Sequence, residues 1–309
     1  MNVVDAMIAD RLQKALRGTV RQNEPMARHT TWRVGGPAQL FIVPADADDL
    51  RIALEILAEA DCPWHACGYG SNVLVRDGGI NGAVIHTGYL RGLEIHPSGR
   101  IVAEAGVPLM VLVRRAVASG LAGVEALAGI PATIGGAVAM NAGAHGQAIG
   151  DGLKRVTICR KDGCREWPAE ALEISRRHCL LPENGFILSA QLQLQPGDKN
   201  ELARRMLEVL KTRRAAHYVG AANAGSVFRN PEQQAAWRLI DAAGLRGRRL
   251  GGAQVSEQHA NFITNDGSAT ATEIETLMQE VAAAVAQHSG AQLEPEVRIW
   301  GELNMTGNV

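Results

Sequence analysis

The segment NAGSVFRNP, Asn223–Pro231, crowds a hydroxyl (Ser226), a guanidinium (Arg229) and two amides (Asn223, Asn230) around Gly225. If the chain is extended from Ser226, then Ser226, Phe228 and Asn230 share one face, because side chains alternate along a strand. Two readings are open: an ordinary turn running into a strand, or the place where a reactive hydroxyl meets a substrate. A second group lies in QLEPEVRIW, 292–300. Read as a strand, Leu293, Val297 and Ile299 point one way, leaving Glu294, Glu296 and Arg298 on the other face. A carboxylate and a guanidinium so placed form either a surface ion pair or a polar pair facing a ligand.

Two glycine-rich loops add a different chemistry. In GYGSNVLVRDGGINGAVI, Gly68, Gly70, Ser71 and Asn72 stand directly before an apolar strand. Glycines let backbone N–H groups approach a ligand closely and form an anion-binding nest; a simple turn is the plainer alternative. The loop is not the dinucleotide fingerprint, since the third glycine is missing and a strand rather than a helix follows. The second loop, GIPATIGGAVAMNAGAHG (129–146), is rich in glycine and alanine, with turns fixed by Pro131 and Asn141. Nearly side-chain-free backbone can lie against a flat ring or a pyrophosphate, or pack tightly between elements. Two such loops together favour a large, flat, phosphate-bearing cofactor.

Short strands alternate with helices in the first half, the pattern of an α/β or α+β domain. LFIVP (40–44) predicts a strand, and ADADDLRIALEILAEA a helix with Leu50, Leu54 and Leu57 on one side. A helix over 108–119 ends at Gly120, and RVTICRKDGCREW predicts a hairpin turning at Asp162-Gly163. FILSAQLQLQ alternates Phe186, Leu188, Ala190, Leu192 and Leu194 as a half-buried strand. After PGDKN a long helix turns Leu202, Met206, Val209 and Leu210 inward. Thr270 and Glu273 form a capping box for a helix with Ile274, Leu277, Met278, Val281 and Val285 on its stripe. The expected division is an N-terminal helical extension (1–27), a region of two subdomains split near 85–90 (28–196), and a C-terminal domain (197–309).

Composition bounds the function classes. The 309 residues suggest two or three domains, and 46% hydrophobic with 20% charged residues is ordinary for a globular protein. A net charge of −1, from 31 basic and 32 acidic residues, gives no polybasic footprint for nucleic acid. Asp5 and Asp10 break any signal-peptide core, and no apolar run reaches the roughly 18 residues of a membrane span, so a cytoplasmic protein is expected. The five cysteines (62, 67, 159, 164, 179) lack zinc-site spacing and are expected to be reduced, structural thiols. No metal is expected, for there is no HExxH or comparable cluster, and His29, His65, His178 and His288 read as surface or structural. No G-x-S-x-G elbow supports a hydrolase.

At its glycine loops the chain resembles the UDP-N-acetylenolpyruvoylglucosamine reductases, flavoenzymes of peptidoglycan synthesis. TTWRVGGPA, GYGSNVLVRDGG, GVEALAGIPATIGGAVAMNAGAHG, AGSVFRNP, AAGLRGRRLGGAQVSEQHANFI and LEPEVRIWG appear in the family's order, spanning about Thr30 to Gly301. The shorter, second family type fits, because the C-terminal half shows no tyrosine-bearing insertion. The resemblance implies an α+β fold: an FAD-binding region of the vanillyl-alcohol-oxidase type, built from two α/β subdomains, then a C-terminal α+β substrate domain. It also implies non-covalent FAD, with NADPH and enolpyruvyl-UDP-GlcNAc as substrates, no nucleic-acid or membrane partner, and a monomer or weak dimer.

Residue by residue, the resemblance assigns cofactor contacts to Arg33, to Gly68, Tyr69, Gly70, Ser71 and Asn72, and to Gly129, Ile130, Pro131, Thr133, Gly135, Gly136, Ala137, Asn141 and Gly143. Ser226 matches the family's proton donor. Arg177 and Glu296 match the pair that polarises the substrate carboxylate and stabilises enolate charge, a task that favours a protonated Glu296 with a pKa raised by burial. Arg214, Asn230, Gln258 and Arg298 match substrate contacts. In ISRRHC, Arg176 is the alternative to Arg177. Two other functions stay open: a flavin-binding homologue that has lost the reaction, and an oxidase on the same flavin fold.

Overall fold

A computed structural model of the chain describes residues 6–175, 178–182, 184–217, 221–232 and 234–303. The chain divides into two compact units that do not follow chain order. The first takes the residues up to 22 together with 40–69 and 82–213; the second takes 23–39, 70–81 and the residues from 214 on.

In the first unit, Asp46 opens the helix Ala47–Glu59 by accepting the N–H groups of Asp48 and Asp49, so two of the helix's orphan donors are satisfied. The predicted stripe of Leu50, Leu54 and Leu57 is fully buried. It packs with Ile8, Ala9 and Leu12 of the helix Ala6–Ala15 and with Leu40, Ile42 and Ile85. Those last three belong to a four-stranded sheet in the order Thr19–Pro25, Pro37–Val43, Ile80–His86, Trp64–Cys67. A second, five-stranded sheet runs Gly163–Pro168, Leu153–Arg160, Phe186–Gln193, Arg100–Glu104, Leu93–Ile95, antiparallel throughout. The core on this sheet takes in Leu112, Val113 and Ala116 of the helix Leu109–Ala118, and Met206, Val209 and Leu210 of the helix Lys199–His217 pack against that core; Leu202 is buried. Gly120 ends the former at φ +72°, the left-handed stop that the sequence predicts.

The 153–168 hairpin forms, but Arg160 pairs with Gly163, so its two-residue turn is Lys161-Asp162 rather than Asp162-Gly163. That register sets Cys159 opposite Cys164 with Cα atoms 3.9 Å apart, and the two are joined by a disulfide. This corrects the expectation of five reduced thiols: Cys62, Cys67 and Cys179 are buried thiols outside any disulfide, whereas the hairpin pairs the other two. The spacing of four intervening residues looked uninformative because only strand register brings such a pair together.

In the second unit the helix Ala271–Ser289 begins at the predicted capping box, Thr270 Oγ1 accepting Glu273 N–H at 3.1 Å and Glu273 Oε2 accepting Thr270 N–H at 3.0 Å. Its stripe of Ile274, Leu277, Met278, Val281 and Val285 is buried. It shares a core with Val255 and Ile263 of an antiparallel sheet ordered Ala222–Asn223, Ile263–Asn265, Ala253–Val255, Arg249–Leu250. The strand expected over 292–300 is shorter. Only Arg298–Trp300 is regular, paired in parallel with Val73–Val75, and Pro295 makes an isolated bridge to Phe228. Proline has no N–H for a ladder, and the in-out alternation lapses there, with Glu294 and Pro295 both exposed. Among the described residues no helix is long and apolar enough to cross a membrane.

Candidate active site

Two of the catalytic candidates meet in the second unit. Asn223 Oδ1 accepts Gly225 N–H at 3.0 Å, closing a turn in which Gly225 sits at φ +75°. The chain leaves that turn through a half-buried Ser226. Val227–Arg229 then lies antiparallel to 294–296: Glu296 N–H donates to Val227 O at 2.7 Å and Arg229 N–H to Glu294 O at 2.9 Å, on either side of the Phe228–Pro295 bridge. Ser226 is thereby one residue from the position paired with Glu296, although 70 residues separate them in the chain. The opening segment is both a turn and the support of a hydroxyl. Ser226, Phe228 and Asn230 do not share a face as a regular strand would require, since Val227 and Phe228 are both buried while Arg229 and Asn230 are exposed. A single bridge does not enforce strand alternation.

The other acidic residue of EPEVR is accounted for more simply. Glu294 pairs with Arg229 at 3.8 Å with both side chains at least half exposed, the surface ion pair that contributes little. Arg298 is exposed, and its N–H donates to Asn72 O at 3.0 Å. Asn230 Oδ1 accepts Ala236 N–H at the start of the helix Ala236–Ala242, leaving its NH₂ group as a donor. Gln258 Oε1 accepts the Ser256 hydroxyl at 3.2 Å, and Arg214 is exposed near the end of its helix. Arg177 and its alternative Arg176 lie outside the described residues.

The second unit also carries the latter half of the GYGSN loop. Gly70 has φ +59°, and a Cβ there would collide with His29 O; only glycine fits. Thr31 N–H donates to Gly70 O at 3.2 Å, and Arg33 is itself left-handed at φ +59°. Behind a half-buried Ser71, Asn72 Nδ2 donates to Glu296 O at 3.1 Å. The following strand, Val73–Val75, is anchored by its pairing with Arg298–Trp300. Asp77 then caps the helix Ala271–Ser289, accepting the N–H groups of Ala271 and Thr272 at 3.0 and 2.8 Å. Arg76 grips Glu275 in a bidentate pair at 2.9 and 2.8 Å. Asn72 and Glu296, assigned to different tasks by the sequence, are therefore direct neighbours.

In the first unit, Gly68 lies so close to Thr133 that a Cβ would collide with Thr133 Oγ1. That hydroxyl is buried, its residue 3% exposed, and it has no hydrogen-bond partner among the described residues. Tyr69 is exposed. The second loop is split between roles. Gly135 packs on Ala105, a Cβ reaching that side chain at 2.9 Å; Ala137 is buried; Gly143 lies against Gln147 O; and Asn141, at φ +38°, spends its amide on Ser175 O and Gly150 N–H. Gly129, at φ +78°, packs on Arg213, where a Cβ would reach Cδ at 2.9 Å; Pro131 and Gly136 are exposed, and Ile130 is half-buried. No cluster that could hold a metal ion occurs among the described residues.

An unpartnered buried hydroxyl beside a cradle that any side chain would fill fits a ligand bearing acceptor oxygens and held by backbone, as FAD would be. The comparisons agree. Residues 38–166 match the FAD binding domain family, and 217–300 match the C-terminal domain of UDP-N-acetylenolpyruvoylglucosamine reductase. The UDP-N-acetylenolpyruvoylglucosamine reductase of Syntrophotalea carbinolica is 46% identical over 96% of this chain and 99% of its own. That of Methylococcus capsulatus is 48% identical over 93% and 94%.

This chain belongs to the UDP-N-acetylenolpyruvoylglucosamine reductase family. The crystal structure of the family's enzyme from Thermus caldophilus superposes with a TM-score of 0.79 at 33% identity, covering 93% of this chain and all of that one. The fold is the family's α+β arrangement, an FAD-binding domain followed by the family's C-terminal domain, and FAD is the cofactor. Two residues that brace the backbone of these segments were not among the sequence candidates. Asp77, in the glycine-rich RDGGING, shows no local sign of the distant helix that it caps. Asn261, in HANFI, is 3% exposed among apolar neighbours; a buried amide in such a run is the signal that could have found it.

Proposed function

We propose that this chain reduces enolpyruvyl-UDP-GlcNAc to UDP-N-acetylmuramate with NADPH, as a step of peptidoglycan precursor synthesis, with Ser226, Arg177 and Glu296 as its catalytic groups. FAD, when bound, would supply the redox chemistry by which hydride passes from NADPH to the enolpyruvyl methylene carbon. The rest falls to side chains. Arg177 binds the substrate carboxylate through a planar fork suited to bidentate contact. Glu296, protonated, donates to the oxygen on which enolate charge grows, the kind of preorganised stabilisation that is often the largest catalytic contribution. Ser226 delivers the proton to the carbon that bears the carboxylate. Arg214 and Asn230 hold the nucleotide part, and Gln258 and Arg298 make further substrate contacts. Gly68–Asn72, Thr133 and the backbone of Gly129–Pro131 and Gly136 hold the cofactor.

The observation that carries this reading is the pairing of 227–229 with 294–296, which brings a general acid and a carboxyl group onto neighbouring backbone. A flavin oxidase is disfavoured by the same segment, since it belongs to the domain matched over 217–300. The enzyme is further read as cytoplasmic, and as a monomer or weak dimer. The test is anaerobic. NADPH should bleach the yellow holoenzyme, and the enolpyruvyl UDP-sugar should restore its colour. Ser226→Ala should bleach at the parental rate and recover its colour about 10²- to 10⁴-fold more slowly. Bleaching without recovery in the parent enzyme would show that it has lost the family reaction.

A further inference from the structure

Asn261 holds the backbone two residues beyond Ser226. Its Oδ1 accepts Phe228 N–H at 3.0 Å and its Nδ2 donates to Phe228 O at 2.8 Å, so one buried amide satisfies both polar groups of a single residue. Its own carbonyl accepts Val227 N–H at 2.8 Å. Val227 O in turn accepts Glu296 N–H at 2.7 Å. The opposite side of the Glu296 peptide is fixed by Asn72 Nδ2, at 3.1 Å from Glu296 O.

We propose that Asn261 is a positioning residue that sets the placement of Ser226 relative to Glu296 for the proton-delivery step. This rests on the roles assigned above to those two residues. The side chain acts as a one-residue strand. Phe228 is nearly fully buried, where an unmade backbone hydrogen bond is costly. With the amide in place, the Val227–Phe228 backbone has one position, and both the residue before it and the peptide paired with it inherit that position. Asn261 is linked to Glu296 through Val227, so its effect belongs to the half-reaction in which substrate is protonated. Flavin reduction by NADPH needs neither group.

Asn261→Asp is the sharpest perturbation: it keeps the size and the acceptor for Phe228 N–H but replaces the donor to Phe228 O with a second oxygen. Asn261→Ser, which keeps one small hydroxyl, is the second variant should the first not yield holoenzyme. Stopped-flow absorbance on FAD-loaded protein resolves the two half-reactions. Reduction by NADPH should stay within about twofold of the parent, while reoxidation by the enolpyruvyl UDP-sugar falls about 10- to 100-fold, as displacement of a catalytic group on the order of 1 Å would cause. The solvent deuterium isotope effect on reoxidation should rise. In a Ser226→Ala background the same Asn261 change should cost less than about threefold, because groups acting as one unit are not additive.

Loss of both half-reactions together, parental reoxidation, or an equal factor with and without Ser226 would each overturn the proposal. The Ser226→Ala protein reads the earlier assignment separately. Parental reoxidation in that protein removes Ser226 from the chemistry and this inference with it; slow reoxidation there with an additive Asn261 effect removes Asn261 alone.

Discussion

Thr133→Val should move the apoprotein and the holoenzyme in opposite directions. The Thr133 hydroxyl is buried, lacks a hydrogen-bond partner among the described residues, and abuts Gly68. An unsatisfied buried hydroxyl costs about 1–3 kcal/mol. Valine keeps the shape and removes the polar atom, so the apoprotein should gain up to that amount. At about 2–4 °C per kcal/mol for chains of 150–250 residues, a rise of several degrees in apoprotein Tm follows. With FAD bound, the hydroxyl gains an acceptor and the variant forfeits that bond. The holoenzyme thus loses a net hydrogen bond of about 0.5–1.5 kcal/mol; added to the apoprotein's gain of up to about 3 kcal/mol, this weakens FAD binding at least about 2-fold and at most about 2000-fold. Calorimetry on flavin-stripped protein reads the first effect, and titration of FAD fluorescence the second. A variant that is less stable without FAD, or that binds FAD as tightly as the parent, would refute the argument that this hydroxyl is reserved for the cofactor.

Gly70→Ala should cost at least about 1–3 kcal/mol and abolish tight FAD binding, because a left-handed φ of +59° and the His29 carbonyl both oppose a Cβ; thermal melts with and without FAD check it. Asp77→Ala uncaps the helix Ala271–Ser289 and should lower stability by about 0.5–2 kcal/mol, read from urea midpoints. Denatured protein without reductant should label three thiols and, after reduction, all five cysteines. In the folded state Cys62, its thiol pushed by burial to about 11, and Cys179, also raised by burial, should alkylate slowly at mildly alkaline pH. The Asp46 carboxyl is held below its usual pKa, chiefly by Asp49 N–H and then by Arg17. Its contribution is therefore complete above the unfolded value of about 4 and is lost as pH falls through the lower folded value. The gap in urea midpoint between the parent and Asp46→Asn should shrink on acidification across that window.

Much of the local structure was written in residue order. The stripe of Leu50, Leu54 and Leu57, the Thr270–Glu273 box and the left-handed stop at Gly120 all depend on neighbours within a turn or two, where spacing and capping chemistry act directly. Glycine placement did the same for the ligand loops: Gly70 is required by a backbone approach that no other residue permits. Family motifs carried Ser226 and Glu296. The same local reasoning overextended the strand at 292–300, because it followed side-chain alternation and not the missing N–H of Pro295.

What residue order could not reveal is which distant backbones pair. The second unit gathers 23–39 and 70–81 with the C-terminal residues, because the strand Val73–Val75 pairs with Arg298–Trp300 and Asp77 caps a helix nearly 200 residues away. Register alone set Cys159 against Cys164, and register alone set Ser226 beside Glu296. Asn261 became visible only when both polar groups of Phe228 were found on its amide. Sequence determined which groups were available for chemistry, since composition and short-range spacing govern caps, stripes and turns. Tertiary structure decided which of them act together, because hydrogen-bond register between distant segments is satisfied only in the folded chain.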